Sequence, residues 1–334
     1  MTDLITSASA FDNQVAGHDG VLLDASGDLV IKPSTPVEIA FYESLLPHAE
    51  FLPITPRFYG TLTLRPNGGE GGAGDGAPRD AIVLENLTAG FNKPCVVDVK
   101  LGRRLWDDNA PLEKRERLDA VAAKTTSGSL AFRVAGMKVW HHALSTYTLY
   151  ERTYGQGLTA ENVRDAVNEF IPVALGKGRR AEVLRRLCEG VGEIEMVVKG
   201  VETRMYSASV LIVYEGAAEA LDAAIKAETA ERLSGYDGEE DEDEEEEFEV
   251  ITETTIIDGR EVQNMTISAS SMPASTVDIA EDDDDGEETQ PVCRVRLIDF
   301  AHTTWTPGEG PDENVLEGVR NLLSLFKNEL DSIE

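Results

Sequence analysis

The sequence predicts an α+β fold of two lobes separated by a cleft. Short apolar runs bounded by turn residues fill the first third of the 334-residue chain, which is typical of β-strands. The remainder mixes such runs with stretches whose apolar residues recur every three or four positions, as on an amphipathic helix. This order indicates a β-rich lobe followed by a mixed one, and ligands favour the cleft between such lobes.

The first lobe is predicted to contain four strands and one helix. The helix covers residues 37–46 and opens directly after Pro36, whose fixed φ suits a first helical position. The predicted strands are 21–23, 29–32, 57–64 and 81–84. A glycine-rich stretch at 66–78 lacks the Lys-Ser/Thr pair of a phosphate-binding loop, so we interpret it as a flexible connector.

The second lobe is predicted to begin after Pro94 with a buried strand at residues 95–100. Helices are expected at 111–124, 163–170 and 180–187, and strands at 205–214 and 295–300. An amphipathic helix closes the chain, with its apolar residues at Val315, Leu316, Val319, Leu322, Leu323 and Phe326.

The charge of the chain limits its partners. There are 30 basic and 62 acidic residues, a formal net charge of −32, so the overall field repels nucleic acid and anionic membranes. We therefore expect no direct nucleic-acid partner. Residues 237–290 hold 22 acidic residues and one basic residue, which is −21 of the −32, and leave −11 on the rest. A polyanion can then be bound only at a local basic patch.

The acidic segment is predicted to be disordered. Two acidic runs, 237–249 and 281–288, flank a Ser/Thr-rich stretch with little apolar periodicity. A segment of this composition buries too little apolar surface to offset the entropy of ordering. We place this disordered acidic insertion at residues 234–290, in the connection between two strands.

The cellular compartment is predicted from absent signals. No run of about 18 apolar residues exists, so we expect no transmembrane segment. Residues 1–10 lack the basic start and apolar stretch of a signal peptide. Cys95, Cys188 and Cys293 are odd in number and lack zinc-site spacing. These features predict free thiols and a location in the nucleus and cytoplasm.

Two stretches in the first hundred residues carry groups suited to phosphoryl transfer, which needs cations on phosphates and carboxylates for Mg²⁺. Strand 29–32 ends in Lys32, and Glu38 lies on the next helix, as in the kinase lysine–glutamate pair; a solvated strand-end lysine is the alternative. Asp98 and Lys100 share one face of an apolar strand. Burying that pair is costly without a ligand, and a surface salt bridge is the alternative.

A third stretch and a basic helix complete the set. Asp299 ends the apolar strand of LIDFAH, residues 297–302, like the Mg²⁺-binding aspartate of the kinase Asp-Phe-Gly motif; an acidic turn residue is the alternative. Lys114, Arg117 and Lys124 lie within an arc of about 80° on the predicted helix 111–124. That face indicates an anionic substrate, unless it is a solvated face with i,i+4 ion pairs.

Together these motifs resemble the inositol polyphosphate kinase family, and within it the fungal multikinases. The family's PxxxDxKxG signature is complete at Pro94, Asp98, Lys100 and Gly102. The residues IDFAH at 298–302 resemble the multikinase C-terminal motif. The strand 208–211 reads ASVL where the family has SSLL. The resemblance covers nearly the whole chain outside the acidic insertion.

The resemblance implies a reduced protein-kinase-like fold and a nucleotide site. Its N-lobe covers residues 1–92 with a hinge at 85–87, and its C-lobe covers 93–334 with an inositol-phosphate-binding segment at 103–145. The residues implied for ATP are Lys32 on the phosphates, Glu38 orienting it, the backbone of Glu85 and Leu87 on the adenine edge, Asp98 on the ribose, and Val210 and Leu211 on the adenine face.

The resemblance also implies the catalytic and substrate-binding residues. Asp299 would hold Mg²⁺, and Lys100 would lie between the γ-phosphate and the inositol hydroxyl, so that Lys100, Asp98 and Asp299 form the catalytic set. The residues implied for the substrate phosphates, beside Lys100, are Lys114, Arg117, Lys124, Lys138 and His302.

The implied function is that of an ATP- and Mg²⁺-dependent multikinase that converts inositol trisphosphate to tetrakis- and pentakisphosphate. One alternative within the family is an inositol hexakisphosphate kinase. An alternative from another class is a transcriptional scaffold with secondary kinase activity, in which the acidic insertion recruits transcription factors, since the fungal multikinases are linked to nuclear transcription control.

Overall fold

The computed structural model describes residues 9–10, 15, 20–64, 79–234, 248–257, 260–269 and 290–334. The chain divides into two compact units, one of Met1–Glu228 with Thr289–Glu334 and the other of Thr229–Glu288. The first unit contains two five-stranded sheets and most of the helices. The predicted connector at 66–78 lies outside the described residues.

The first sheet has the strand order β1-β2-β3-β5-β4, with antiparallel neighbours. Its strands are β1 (Ser9–Ala10), β2 (Leu22–Leu23), β3 (Leu29–Pro33), β4 (Phe58–Leu64) and β5 (Arg79–Glu85). Helix α1 (Pro36–Glu43) follows β3 and begins where the Thr35 hydroxyl accepts a hydrogen bond from the Glu38 N–H. It ends at Glu43, three residues before the predicted end, and the next residue, Ser44, caps it with a hydroxyl that donates to the Phe41 carbonyl.

The second sheet has the order β13-β10-β6-β7-β8, again antiparallel throughout. Its strands are β6 (Pro94–Leu101), β7 (Phe132–His141), β8 (Thr146–Tyr150), β10 (Ser209–Glu215) and β13 (Cys293–Ile298). A separate short pair joins β9 (Thr203–Met205) to β14 (Thr303–Trp305). Strand β6 is central, and Val97, Val99 and Leu101 on one of its faces enter the main apolar core.

The helices that follow β5 in the chain are α2 (Leu112–Ala123), α3 (Thr126–Leu130), α4 (Arg152–Gln156), α5 (Val163–Phe170), α6 (Lys177–Gly200), α7 (Ala218–Ser234) and α8 (Glu313–Ile333). Of these, α3, α4, α5, α6 and α8 pack against strands of the second sheet. Arg180 of α6 and Glu329 of α8 form a buried ion pair of 2.8 Å. No helix in the described part of the chain has the length and apolar character needed to cross a bilayer.

Three elements differ from the prediction for physical reasons. The predicted strand 205–214 is two strands, β9 and β10, because Ser207 between them has a left-handed backbone with φ of 60°. Helix α6 extends far beyond 180–187 and includes Gly190, which lies so close to Val295 that a Cβ would approach it within 2.8 Å. Strand β7 was not predicted because it is buried on both faces and therefore lacks alternation.

The second unit contains a hairpin where disorder was predicted. Strand β11 (Phe248–Ile257) pairs antiparallel with β12 (Arg260–Ala269). Both are rich in β-branched residues, and the two residues between them read Asp-Gly, a strong hairpin sequence. The predicted disorder of the insertion as a whole stays a prediction. Residues 235–247, 258–259 and 270–289 of the predicted insertion lie outside the described part.

Candidate active site

Four charged side chains meet between the two sheets of the first unit. Lys32 Nζ donates to Glu38 Oε1 and to Asp299 Oδ1, each at 2.8 Å. Lys100 Nζ lies 3.5 Å from Asp299 Oδ2. We call Lys32, Glu38, Asp299 and Lys100 the charge quartet. It brings together four residues that the sequence analysis assigned to phosphoryl transfer.

Glu38 joins α1 to the turn that carries Asp299. Its side chain is only 2% exposed. Besides Lys32, its carboxylate accepts hydrogen bonds from the Ser34 hydroxyl at 2.8 Å and from the Phe300 N–H at 3.1 Å. These three donors satisfy the buried carboxylate and fix the lysine that it holds.

Asp299 follows β13 and turns the chain sharply, with φ of 68°. The next residue, Phe300, is fully buried and stacks on Phe41 of α1 at a centroid distance of 4.4 Å. The Trp305 ring stacks on Phe41 at a centroid distance of 5.5 Å and on His48 at 3.7 Å. This aromatic cluster holds the strained turn, and with it the Asp299 carboxylate, in one position.

The opposite charges of the quartet keep Asp299 and Lys32 in their ionised forms. Burial alone would raise the pKa of Asp299, but Lys32 and Lys100 outweigh it and lower that pKa to about 2. Burial would likewise lower the pKa of Lys32, but Asp299 and Glu38 raise it above its ordinary value. Both side chains therefore stay ionised at neutral pH, which is the state needed to bind phosphates and a metal ion.

Lys100 and Asp98 lie on the face of β6 opposite the core. Lys100 Nζ donates to the Ser207 carbonyl at 2.7 Å and to the Ser209 hydroxyl at 3.2 Å. Burial raises the pKa of Asp98, and Lys100 opposes that shift. Among the described residues, Asp98 Oδ1 has no hydrogen-bond partner. Ser209 is the serine of the ASVL strand that the family motif retains.

The last residue of the PxxxDxKxG signature, Gly102, has to be a glycine for steric reasons. Its φ is 90°, a region that residues with a Cβ rarely adopt. A Cβ there would also clash with the Asn314 side chain, which is fixed because its Oδ1 accepts from the N–H groups of Arg103 and Arg104, each at 2.9 Å. The glycine therefore permits α8 to approach the end of β6.

On the substrate side, His302 is paired with Asp107 and is influenced electrostatically by Lys114. His302 Nδ1 lies 2.7 Å from Asp107 Oδ2. Burial and then the nearby Lys114 lower the pKa of His302, against the effect of Asp107. The remaining predicted substrate residues are less closely engaged. In the described structure no hydrogen bond or ion pair joins the exposed Arg117 and Lys124 to the quartet or to His302.

Lys138 of β7 lies half-buried, with its Nζ 4.5 Å from the centre of the Tyr147 ring. It stands opposite Val96 in the register of β7 with β6, two positions from Asp98. Its side chain therefore lies on the sheet that carries Asp98 and Lys100. Its role on the substrate phosphates stays a prediction.

The proposed adenine residues separate into two groups. Leu211 and Leu87 belong to a small apolar cluster with Val96, Val213, Phe91 and Ile298. Val210 does not, because successive side chains of a strand point to opposite faces, and Val210 is fully buried in the main core. Its assignment to the adenine face is therefore wrong.

One of the two hinge N–H groups expected to face the adenine edge is already hydrogen-bonded within the protein. The Glu85 N–H at the end of β5 donates to the Arg57 carbonyl at 2.9 Å. The Leu87 N–H, in contrast, donates to no acceptor in the ranges that the structure describes. Leu87 therefore keeps a free main-chain donor, whereas the N–H of Glu85 is used within the protein.

One charged residue of the site was missed from the sequence. Arg133 of β7 stands opposite Lys100 in the sheet register and is 4% exposed. Its Nε and Nη1 have no hydrogen-bond partner among the described residues. Burial and then Arg152 lower its pKa, and Asp98 opposes them. The signal was available, because Arg133 is a charge inside the apolar run FRVAGM, as Asp98 is in CVVDVK.

Comparison with known proteins identifies the class. The inositol polyphosphate kinase family model matches residues 81–327. The inositol polyphosphate multikinase of Saccharomyces cerevisiae is 30% identical, over 97% of this chain and 99% of that protein. Human inositol hexakisphosphate kinase 1 is 28% identical over 75% of this chain, which spans only 52% of that longer relative.

A solved structure of a related enzyme supports the same family assignment. The crystal structure of the S. cerevisiae inositol phosphate multikinase in complex with ADP and Mn²⁺ has a TM-score of 0.61 and 29% identity, over 91% of this chain and 100% of that chain. The likeness confirms the predicted α+β, kinase-like fold. The fold and the charge quartet thus define an inositol phosphate kinase, and the chain belongs to the inositol polyphosphate kinase family.

Proposed function

We propose that this kinase transfers the γ-phosphoryl group of ATP, with Mg²⁺, to inositol trisphosphate and forms the tetrakis- and pentakisphosphate. The observation that carries the proposal is the charge quartet, in which two lysines and two carboxylates converge between the sheets. Phosphoryl transfer depends on positioning and on neutralising the charge of the transferred group. The quartet supplies both kinds of group that this requires.

The residues fit a nucleotide and a divalent metal ion. The Asp299 carboxylate is ionised and 24% exposed, and Mg²⁺ prefers such oxygens. Within the described ranges Asp98 Oδ1 accepts no hydrogen bond, and a ribose hydroxyl would supply the donor. Leu87 and Leu211 offer an apolar surface for an adenine ring, beside the Leu87 N–H, which has no acceptor in the described part of the chain. When bound, the metal ion would neutralise charge on the phosphates.

The lysines of the quartet have different tasks. Lys32, held by Glu38 on its buried side, binds the donor phosphates. Lys100 is held by the Ser207 carbonyl and the Ser209 hydroxyl, so its ammonium group is preorganised beside Asp299. In that position it neutralises the negative charge that develops as the phosphoryl group moves. Neither lysine forms a covalent bond to the substrate.

The acceptor phosphates are bound on the side of α2 and β7. Lys114 influences His302 electrostatically, and Arg133, opposite Lys100 in the sheet register, has two N–H groups with no partner among the residues that the structure describes. In a chain of net charge −32, this local positive charge favours a polyanionic substrate. Arg117, Lys124 and Lys138 extend the positive charge, so a larger inositol phosphate can be bound as well.

The test is direct. The purified protein is incubated with ATP, Mg²⁺ and inositol trisphosphate, and the products are separated by anion exchange. We expect successive conversion to tetrakis- and pentakisphosphate with one ADP formed per phosphate added. An unchanged trisphosphate pool would overturn the proposed substrate.

Inositol hexakisphosphate is the alternative acceptor, and the similarity to a human hexakisphosphate kinase supports testing it. The same assay with hexakisphosphate as the sole acceptor distinguishes the two. We expect a lower rate than with trisphosphate. Pyrophosphate products from hexakisphosphate, with none from trisphosphate, would replace the proposed substrate and leave the kinase class intact.

A second role is proposed for the acidic insertion. Its 22 acidic residues against one basic residue favour basic partners, and we propose transcription factors in the nucleus as partners, with the protein in nucleus and cytoplasm. Deletion of residues 237–290 should leave turnover within about twofold and abolish co-purification of such factors. A large loss of turnover, or unchanged partners, would contradict this division of roles.

A further inference from the structure

The linker between the two sheets, residues 86–93, is held by two charged side chains of the second sheet. Arg294 of β13 binds its carbonyl groups, and Glu215 at the end of β10 binds its N–H groups. The two residues stand on neighbouring strands of the same sheet. The linker is therefore fixed to the sheet by charge-assisted hydrogen bonds, which are stronger than neutral ones.

Arg294 makes the contacts nearest to the proposed adenine residues. Its Nη1 donates to the Ala89 carbonyl at 2.6 Å and to the Leu87 carbonyl at 3.2 Å. Its guanidinium carbon lies 5.3 Å from the centre of the Phe91 ring. Its Nε is 4.0 Å from Glu85 Oε1. One side chain thus contacts the linker from its beginning to its centre.

Glu215 holds the other end. Its fully buried carboxylate accepts hydrogen bonds from the N–H groups of Asn92 at 2.6 Å and Lys93 at 2.9 Å. Gln290 donates a further bond at 2.6 Å. The end of the linker is therefore anchored independently of Arg294, so loss of Arg294 should loosen the segment around Leu87 without releasing the whole linker.

The contacts fix both peptide groups that flank Leu87. The Asn86 carbonyl, on one side, accepts from the Ala89 N–H at 3.0 Å. The Leu87 carbonyl, on the other side, accepts from Arg294. Because both peptide planes are fixed, the Leu87 N–H, which has no acceptor among the described residues, points in one fixed direction. A donor held in its binding direction loses no conformational freedom when a ligand accepts from it.

We propose that Arg294 is a positioning residue for the nucleotide, which acts by holding the linker backbone around Leu87. The proposal rests on the proposed function, because it needs the linker to bind the adenine base. Arg294 itself does not contact the reacting atoms. It should therefore affect the affinity for ATP and ADP and leave the chemical step unchanged.

The test compares three variants in the full-length protein. Arg294→Ala removes both carbonyl contacts, and Arg294→Lys keeps a charge but not the planar, multiply donating group. Arg179→Ala is the matched control, since Arg179 also donates to a carbonyl, that of Leu175, and pairs with Asp222 on helices outside the site. The measurements are the KM for ATP and for inositol trisphosphate, kcat, the Kd for ADP by calorimetry, and the thermal midpoint.

For Arg294→Ala we expect the KM for ATP and the Kd for ADP to rise by about 10-fold, because the loosened backbone around Leu87 must then be ordered when the nucleotide binds. The kcat and the KM for inositol trisphosphate should stay within about twofold. Arg294→Lys should restore part of the ADP affinity, and Arg179→Ala should match the wild type. Partial rescue by lysine would still report on positioning if the alanine variant failed to fold.

Unchanged ADP affinity in folded Arg294→Ala would overturn the proposal. Equal rises in both KM values would also overturn it, because they would indicate a general loss of structure. Failure of the proposed function is distinguishable: a wild-type protein that neither binds ADP nor phosphorylates an inositol phosphate would refute the nucleotide site itself, and the role of Arg294 with it.

Discussion

Lys32 and Asp299 lie 267 positions apart in the chain, yet Lys32 Nζ donates to Asp299 Oδ1 at 2.8 Å. The first residue belongs to the first sheet and the second follows β13 of the second sheet, so the bond exists only when both sheets are assembled. Glu38 strengthens the connection, because it accepts from Lys32 and from the Phe300 N–H. The site is thus a product of the tertiary fold.

Lys114→Ala should mainly weaken binding of the inositol phosphate. One charge-assisted contact to a phosphate is removed, so the KM for inositol trisphosphate should rise by about 10-fold or more, with kcat within about twofold. Steady-state kinetics at saturating ATP measures both. Lys199→Ala, at the end of α6, is the control. A lower kcat with unchanged KM would contradict the assignment.

Leu211→Ala and Val210→Ala should have opposite phenotypes. Leu211 faces the small apolar cluster, so its loss should raise the KM for ATP with a modest effect on stability. Val210 is fully buried in the main core, and its loss should lower the free energy of unfolding by about 2 kcal/mol with the KM for ATP unchanged. Urea unfolding measures the stability of both variants, and steady-state kinetics with varied ATP measures their KM. A raised KM for ATP in Val210→Ala would instead support a role of Val210 at the adenine ring.

Two glycine-to-alanine changes should shift stability in opposite directions. Gly102 has φ of 90° and no room for a Cβ beside Asn314, so Gly102→Ala should lower the free energy of unfolding by about 2 kcal/mol or more. Gly192 lies inside α6 with nothing within 4 Å of a Cβ, so Gly192→Ala should raise it by about 0.5 to 1 kcal/mol. Stability of Gly102→Ala equal to the wild type would refute the steric argument.

The ion pairs of Asp299 should give the unliganded fold an acid-sensitive component. The pKa of Asp299 in the fold is about 2, below the value of about 3.9 expected when unfolded. Its contribution is therefore complete above the unfolded value and is lost as the pH falls from about 4 toward 2. The stability difference between wild type and Asp299→Asn, measured by urea unfolding, should shrink over that interval. A difference that is constant from pH 6 to pH 2 would contradict the pairing.

Much of the site was predictable because its residues are charges inside or at the ends of apolar strands. Asp98, Lys100 and Asp299 all carry this signal, and the structure brings Lys100 and Asp299 together with Lys32 and Glu38. Arg133 carries the same signal and was missed because no motif drew attention to its strand. Val210 was misassigned because the face of a strand that meets a ligand depends on register, which the sequence of one strand does not contain.

The fold was predictable at the level of its elements and less so at their boundaries. The break at Ser207 depends on a left-handed backbone at a residue that usually avoids it. The continuation of α6 through Gly190 depends on its packing against Val295, a tertiary contact that overrides local propensity. The hairpin of β11 and β12 was obscured by the acidic composition around it, although its β-branched residues and Asp-Gly pair favour strands.

The most direct test of the account is the turnover of Asp299→Asn beside the wild type, with ATP, Mg²⁺ and inositol trisphosphate, followed by phosphorus NMR of the products. The wild type should form tetrakis- and pentakisphosphate. Asp299→Asn removes the charge that pairs with Lys32 and would hold the metal ion, so its kcat should fall by about 100-fold or more. Asp222→Asn, which alters only an exposed ion pair with Arg179, should retain wild-type activity. Full activity of Asp299→Asn would contradict the central role of the charge quartet.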